Sequence, residues 1–141
     1  MSLPALVFEI EIKSTPERIW EAITSPDLTR RYFHDTAIRS DWRNGSKVVW
    51  ENPDGTSASE GEVIECEPPC RLVTSWSSLW APELASETPS RVTWEIEERA
   101  SSCLLRLIHD KLEGARKTHD VVKNGWPGII EGLRACVEAA A

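Results

Sequence analysis

The side chains of this sequence best placed to act on a small molecule are Trp76, Trp94, His109 and Trp126. Alternation along the apolar runs puts Leu72, Thr74 and Trp76 on one side of a strand, and Val92, Trp94 and Ile96 on one side of the next. Leu105, Leu107 and His109 share one side of the last. If these sides face the same way, the three tryptophans and His109 converge beneath an apolar helix. They form a ligand site that is mostly apolar with a few polar points, together with Thr74, Leu107 and Ile130. The competing reading is that the same aromatics fill the core. His109 ends its strand face and is followed by Asp110, which has opposite parity and cannot orient the imidazole in a regular strand. An imidazole there would hydrogen-bond a ligand or move a proton. The plainer alternative is a core-edge histidine satisfied by backbone or water. No residue is assigned a catalytic role beyond His109 as a candidate.

Other chemistries find less support. Glu62 and Glu65 have opposite strand parity, so a paired-carboxylate mechanism cannot be built from them. Glu95, Glu97 and Glu98 read as a solvated face. The chain has no glycine-flanked serine elbow and no phosphate-cradling glycine loop. Cys66 and Cys70 lack a second pair at metal-binding spacing, so these two, Cys103 and Cys136 are expected to be free, mostly buried thiols. His34 and His119 fall at a helix end and a helix start, where exposure is expected, and three histidines without matched spacing do not argue for a metal. Neither a metal nor another cofactor is expected.

The elements that must position these residues are legible from periodicity and breakers. Leu6 to Ile12 alternates as a strand with one buried face. Ser14-Thr15-Pro16-Glu17 starts a helix with a hydroxyl cap, a first-turn proline and an acid at the positive end of the dipole. Ser25-Pro26-Asp27 breaks that helix and begins a second short one, through Phe33. Strands are predicted near 37–41, 46–51, 56–66, 71–77, 91–98 and 102–110, with turns at Asn44-Gly45, Asn52-Pro53-Asp54-Gly55 and Pro68-Pro69. Ser78 to Pro89 reads as a longer loop at a cavity rim. From Thr118 to Ala140, Val122, Trp126, Ile129, Ile130, Leu133 and Val137 recur at steps of three and four, a helix with one apolar stripe. Pro127 predicts a kink or a restart near Gly125.

Composition bounds the function. A chain of 141 residues is expected to be a single domain that buries roughly two thirds of its unfolded surface. With 16 Lys and Arg against 23 Asp and Glu, the net charge of -7 and the absence of a basic run argue against nucleic acid. No stretch approaches the roughly 18 to 20 apolar residues of a membrane span, no leader pattern opens the chain, and reduced thiols fit the cytoplasm.

The order strand, two helices, six strands, long helix resembles the helix-grip fold of the START-like (SRPBCC) superfamily. Within it, the chain is most similar to the bacterial single-domain group homologous to the activator of the ninety-kilodalton heat-shock protein ATPase. The residues that carry the resemblance are Thr15-Pro16-Glu17-Arg18-Ile19-Trp20, the Gly61 to Trp76 block, Arg91-Val92-Thr93, Leu105-Arg106-Leu107 with His109, and Gly125-Trp126-Pro127 with Ile130, Leu133 and Glu138. Arg31-Tyr32-Phe33 stands where such proteins usually carry a tryptophan, and Asn44-Gly45-Ser46 replaces a double glycine. The resemblance implies an α+β fold, a curved antiparallel sheet of six or seven strands around the C-terminal helix. It also implies a small hydrophobic ligand, bound without catalysis for sequestration, transport or sensing. The alternatives are a cyclase- or hydrolase-type enzyme using His109 and a cochaperone or other protein-interaction domain. A chaperone contact is not expected, because the eukaryotic activator also uses an additional N-terminal domain for it. A homodimer through a sheet edge or the helix surface stays open.

Overall fold

Alternating burial along Leu6–Ile12 makes strand β1, and the computed structural model describes residues 3–139. Thr15 then caps helix α1, Pro16–Thr24, its hydroxyl accepting the Arg18 N–H at 3.3 Å, with Pro16 in the first turn and Ile19, Ala22 and Ile23 facing inward. Ser25 ends α1 in an extended conformation, as the residue before proline must, and Pro26 opens α2, Pro26–Tyr32. The Thr29 hydroxyl accepts the Ile38 N–H at 3.0 Å, which ties α2 to strand β2, Ala37–Ser40. Between them His34 and Asp35 both hold positive φ, 51° and 61°, a conformation that non-glycine residues seldom adopt.

The rest of the sheet follows as β3 (Lys47–Glu51), β4 (Ser57–Glu67), β5 (Arg71–Ser78), β6 (Ser90–Glu98) and β7 (Cys103–Asp110). All neighbours are antiparallel, in the order β1-β7-β6-β5-β4-β3-β2. The long central strand β4 changes register between Val63 and Glu65. Beside this irregularity Gly61 lies so close to β5 that a Cβ would stand 2.0 Å from the Ser75 carbonyl oxygen. Only glycine fits there, and a bulged strand bends the sheet locally. Ion pairs run across the outer face from Glu9 through Arg106, Glu95 and Arg71 to Glu65. Glu95 is therefore flanked by two arginines, more enclosed than a solvated face predicts. These pairs are partly exposed and worth little individually.

The loop 78–89 contains a single helical turn, α3, Pro82–Ala85, where the sequence reading expected none. Helix α4 runs without interruption from Arg116 to Ala139 with Pro127 inside it, so no restart occurs near Gly125; Ala140, the predicted end, lies outside the described residues. Pro127 is exposed while Val122, Trp126, Ile129, Ile130, Leu133 and Val137 are buried. The buried stripe holds the helix in place, and the carbonyl deprived of a partner by Pro127 belongs to the exposed Lys123. That stripe lies against Ile12, Leu72, Val92, Trp94, Leu105 and Leu107 from the concave face of the sheet, in one apolar core. Of the thiols only Cys103 is buried; Cys66 and Cys136 are half-buried and Cys70 is exposed. Cys70 follows Pro68-Pro69 at a hairpin tip, where no second layer covers it. Among the described residues, no helix is long and apolar enough to cross a membrane.

Candidate functional site

The concave face of the sheet carries Trp50 on β3, Trp76 on β5 and Trp94 on β6, and α4 lowers Trp126 onto them. Ring centroids lie 4.6 Å apart for Trp50 and Trp76, 5.6 Å for Trp76 and Trp126, and 5.9 Å for Trp94 and Trp126. Phe33, at the end of α2, packs edge-on against Trp126 at 5.7 Å. These tilted and edge-to-face contacts are the arrangement aromatic quadrupoles favour. They leave a cleft of about 520 Å³ on one side of the cluster. Its walls are Phe33, Trp50, Trp76, Trp126, Val122 and Ile129, and Trp80 and Val121 stand at the mouth, 49% and 44% exposed. Polar atoms come from His34, Thr36, Asn52, Ser59 and Asn124; no Asp, Glu, Lys or Arg lines the cleft.

Gly125 also borders the cleft. A glycine in the middle of a helix costs about 1 kcal/mol relative to alanine. Nothing lies within 4 Å of the position its Cβ would take. The missing side chain leaves room beside Trp126.

His109 lies in the packed end, not on the cleft. It is fully buried, and both ring nitrogens are engaged. The Trp126 indole N–H donates to Nδ1 at 3.0 Å, which makes Nδ1 an acceptor and puts the proton of the neutral ring on Nε2. Nε2 then donates to the Ser90 hydroxyl at 2.7 Å, and that hydroxyl donates to the Trp76 carbonyl at 3.3 Å. Burial lowers the His109 pKa to about 4, against a smaller upward pull from Asp110 and a further lowering by His119. Asp110 is held by Arg91 on the other side, at 2.8 and 2.5 Å, as strand parity requires. Both imidazole nitrogens are thus engaged within the chain, and neither is turned to the cleft.

Of the seven residues expected around the hollow, Trp76 and Trp126 line the cleft. Trp94, Thr74, His109, Leu107 and Ile130 are buried in the packed layer beside it. The convergence under α4 occurs, but one end of it is filled. Sequence reasoning missed Trp50, Phe33 and Ser59. A signal existed for Trp50, since Val48 and Trp50 alternate with Lys47 and Glu51 and so point inward together. None existed for Phe33, which follows a short helix and faces the cleft only because of the turn after it.

The family described as "Activator of Hsp90 ATPase homolog 1-like protein" matches residues 13–138. No protein of curated function matches at a significant level. Among solved structures, protein MLL2253 from Mesorhizobium loti is 22% identical, with a TM-score of 0.79, covering 98% of this chain and 99% of its own. CalU16 from Micromonospora echinospora is 22% identical with a TM-score of 0.75, over 94% of this chain and 75% of that one. The Aha1 dimer from Colwellia psychrerythraea is 15% identical with a TM-score of 0.75, over 96% and 97%. At these identities the structures establish the helix-grip fold, a seven-stranded curved sheet clasping α4. The profile match over nearly the whole chain does the rest, and the protein belongs to the activator of Hsp90 ATPase homolog 1-like family.

Proposed function

We propose that this protein binds a small, predominantly apolar molecule in the cleft between β3–β5, the end of α2 and the first half of α4, and does so without chemical turnover, as a carrier, sequestering protein or sensor. The whole chain acts as one ligand-binding domain. The observation that carries this reading is the cleft of about 520 Å³, walled by Trp50, Trp76, Trp126 and Phe33 and open beside the exposed Trp80. That size suits a drug-sized molecule, and apolar walls with a few polar points are the usual makeup of such sites. Burial at roughly 25 cal/mol per Å² supplies micromolar affinity after the losses of association. The enzyme alternative lacks its base, because His109 is consumed by Trp126 and Ser90. A chaperone partner is not required by this reading.

Gly125→Leu tests it. The added side chain has open space and stands beside the cleft, so the variant keeps the fold by circular dichroism and melts no lower than the parent. Phenylnaphthylamine, an uncharged fluorescent probe, is expected to bind the parent saturably and not the variant. Equal binding to both would move the ligand site elsewhere.

A further inference from the structure

Two polar groups in the cleft wall lack a partner. Trp50 and Ser59 are direct cross-strand partners on β3 and β4, 3% and 2% exposed, and both line the cleft. Their side chains therefore stand about 5 Å apart at Cβ on one face of the sheet. Among the described residues, neither the Trp50 indole N–H nor the Ser59 hydroxyl makes a hydrogen bond, and neither is sealed from solvent as Ser14 Oγ is. The other two tryptophans of the wall differ: Trp76 donates to Ser78 Oγ at 2.9 Å and Trp126 to His109. An indole N–H only donates, so the atom that completes Trp50 must be an acceptor. A buried donor left without one forfeits its desolvation energy.

The rest of the lining restricts what carries that acceptor. No fixed charge faces the cleft, although 28% of the chain is charged. An ionised ligand would lose its hydration there without gaining a counter-ion. The net charge of -7 further disfavours an anion. Tilted aromatic walls pair best with another ring system.

Resting on the ligand-binding reading above, we infer that the ligand is an uncharged, ring-containing molecule with an oxygen acceptor, a ketone, ether or phenol oxygen, that receives the Trp50 N–H and hydrogen-bonds the Ser59 hydroxyl. Three naphthalene dyes measure this: prodan, an uncharged ketone; phenylnaphthylamine, uncharged and without oxygen; and anilinonaphthalenesulfonate, its anionic counterpart. Phenylnaphthylamine binds at least about tenfold more tightly than the sulfonate. Trp50→Phe and Ser59→Ala each weaken prodan about fivefold more than they weaken phenylnaphthylamine, whose own change reports the alteration of the wall apart from the hydrogen bond. The inference is overturned if the sulfonate binds as well as its uncharged counterpart, or if both variants hold prodan like the parent. In those cases the cleft itself still stands, provided Gly125→Leu blocks phenylnaphthylamine. Binding of neither uncharged dye would sink the cleft reading and this one together.

Discussion

The two ends of the concave face are built from the same kinds of residue and finished differently. At the closed end, Trp94, Leu105, Leu107, His109 and Leu133 are buried against one another. His109 is held there in a relay from the Trp126 N–H through its imidazole and Ser90 to the Trp76 carbonyl, while the Trp94 N–H makes no hydrogen bond among the described residues. At the open end, Trp50 and Ser59 are as buried as those residues and yet unpartnered, next to Gly125 and Ala58, where side chains are too small to fill the space. The difference teaches that burial alone does not separate core from site. The Trp126 N–H is satisfied within the chain, whereas Trp50, which lines the cleft, has no partner for its N–H among the described residues.

The comparison can be broken by mutation. The largest effect belongs to the closed end: Leu107→Ala removes a fully buried side chain and lowers unfolding free energy by about 4 kcal/mol. Val121→Ala at the cleft mouth changes it by less than about 0.5 kcal/mol. Urea denaturation of both reads the contrast, and similar losses would mean that the open end is packed core after all.

The next effect is on pH dependence. His109 titrates at about 4 when folded and near 6.5 when unfolded. Between those values the unfolded chain holds a proton that the folded one refuses, so stability is full above about pH 6.5. It falls by about 3 kcal/mol as pH drops to about 4. Asp110, whose pKa is lowered by hydrogen bonding to Arg91, adds stability that is lost below its unfolded value near 4. The two windows are thus adjacent and not superposed. His109→Gln keeps an acceptor for Trp126 and a donor for Ser90 but cannot titrate. Its stability profile should be flat from pH 6.5 to about 4.5, and a slope like the parent's would place the titrating group elsewhere.

The smallest effect is at the open end. Gly125→Ala adds a methyl group to free space and removes a glycine from a helix, so it raises unfolding free energy by about 0.5 to 1 kcal/mol. A loss would show that the position is already crowded.

Much of this was readable in advance, for reasons that differ by element. Strand parity put Leu72, Thr74 and Trp76 inward, and the structure buries all three, because alternation is a local property of an extended backbone. The break at Ser25-Pro26 is likewise local steric exclusion. Pro127 does not divide the helix, because its cost of a few kcal/mol is outweighed by six buried neighbours on the same stripe. The site was harder to read. Trp76 and Trp94 face the helix and Trp126 projects from it toward the sheet; which of them borders open space depends on the tilt of α4 over a bent sheet, and no spacing in the chain encodes that.

The sequence by itself determined the element order, the inward faces and the aromatic character of whatever lies beneath the last helix, since these follow from periodicity, breakers and residue type within one segment. Tertiary structure decided that His109 is locked and Trp50 is free. Hydrogen bonds between residues 17 and 19 positions apart close at one end of the sheet, and at the other end Phe33, Ser59 and Gly125 meet around a space that none of their segments defines alone.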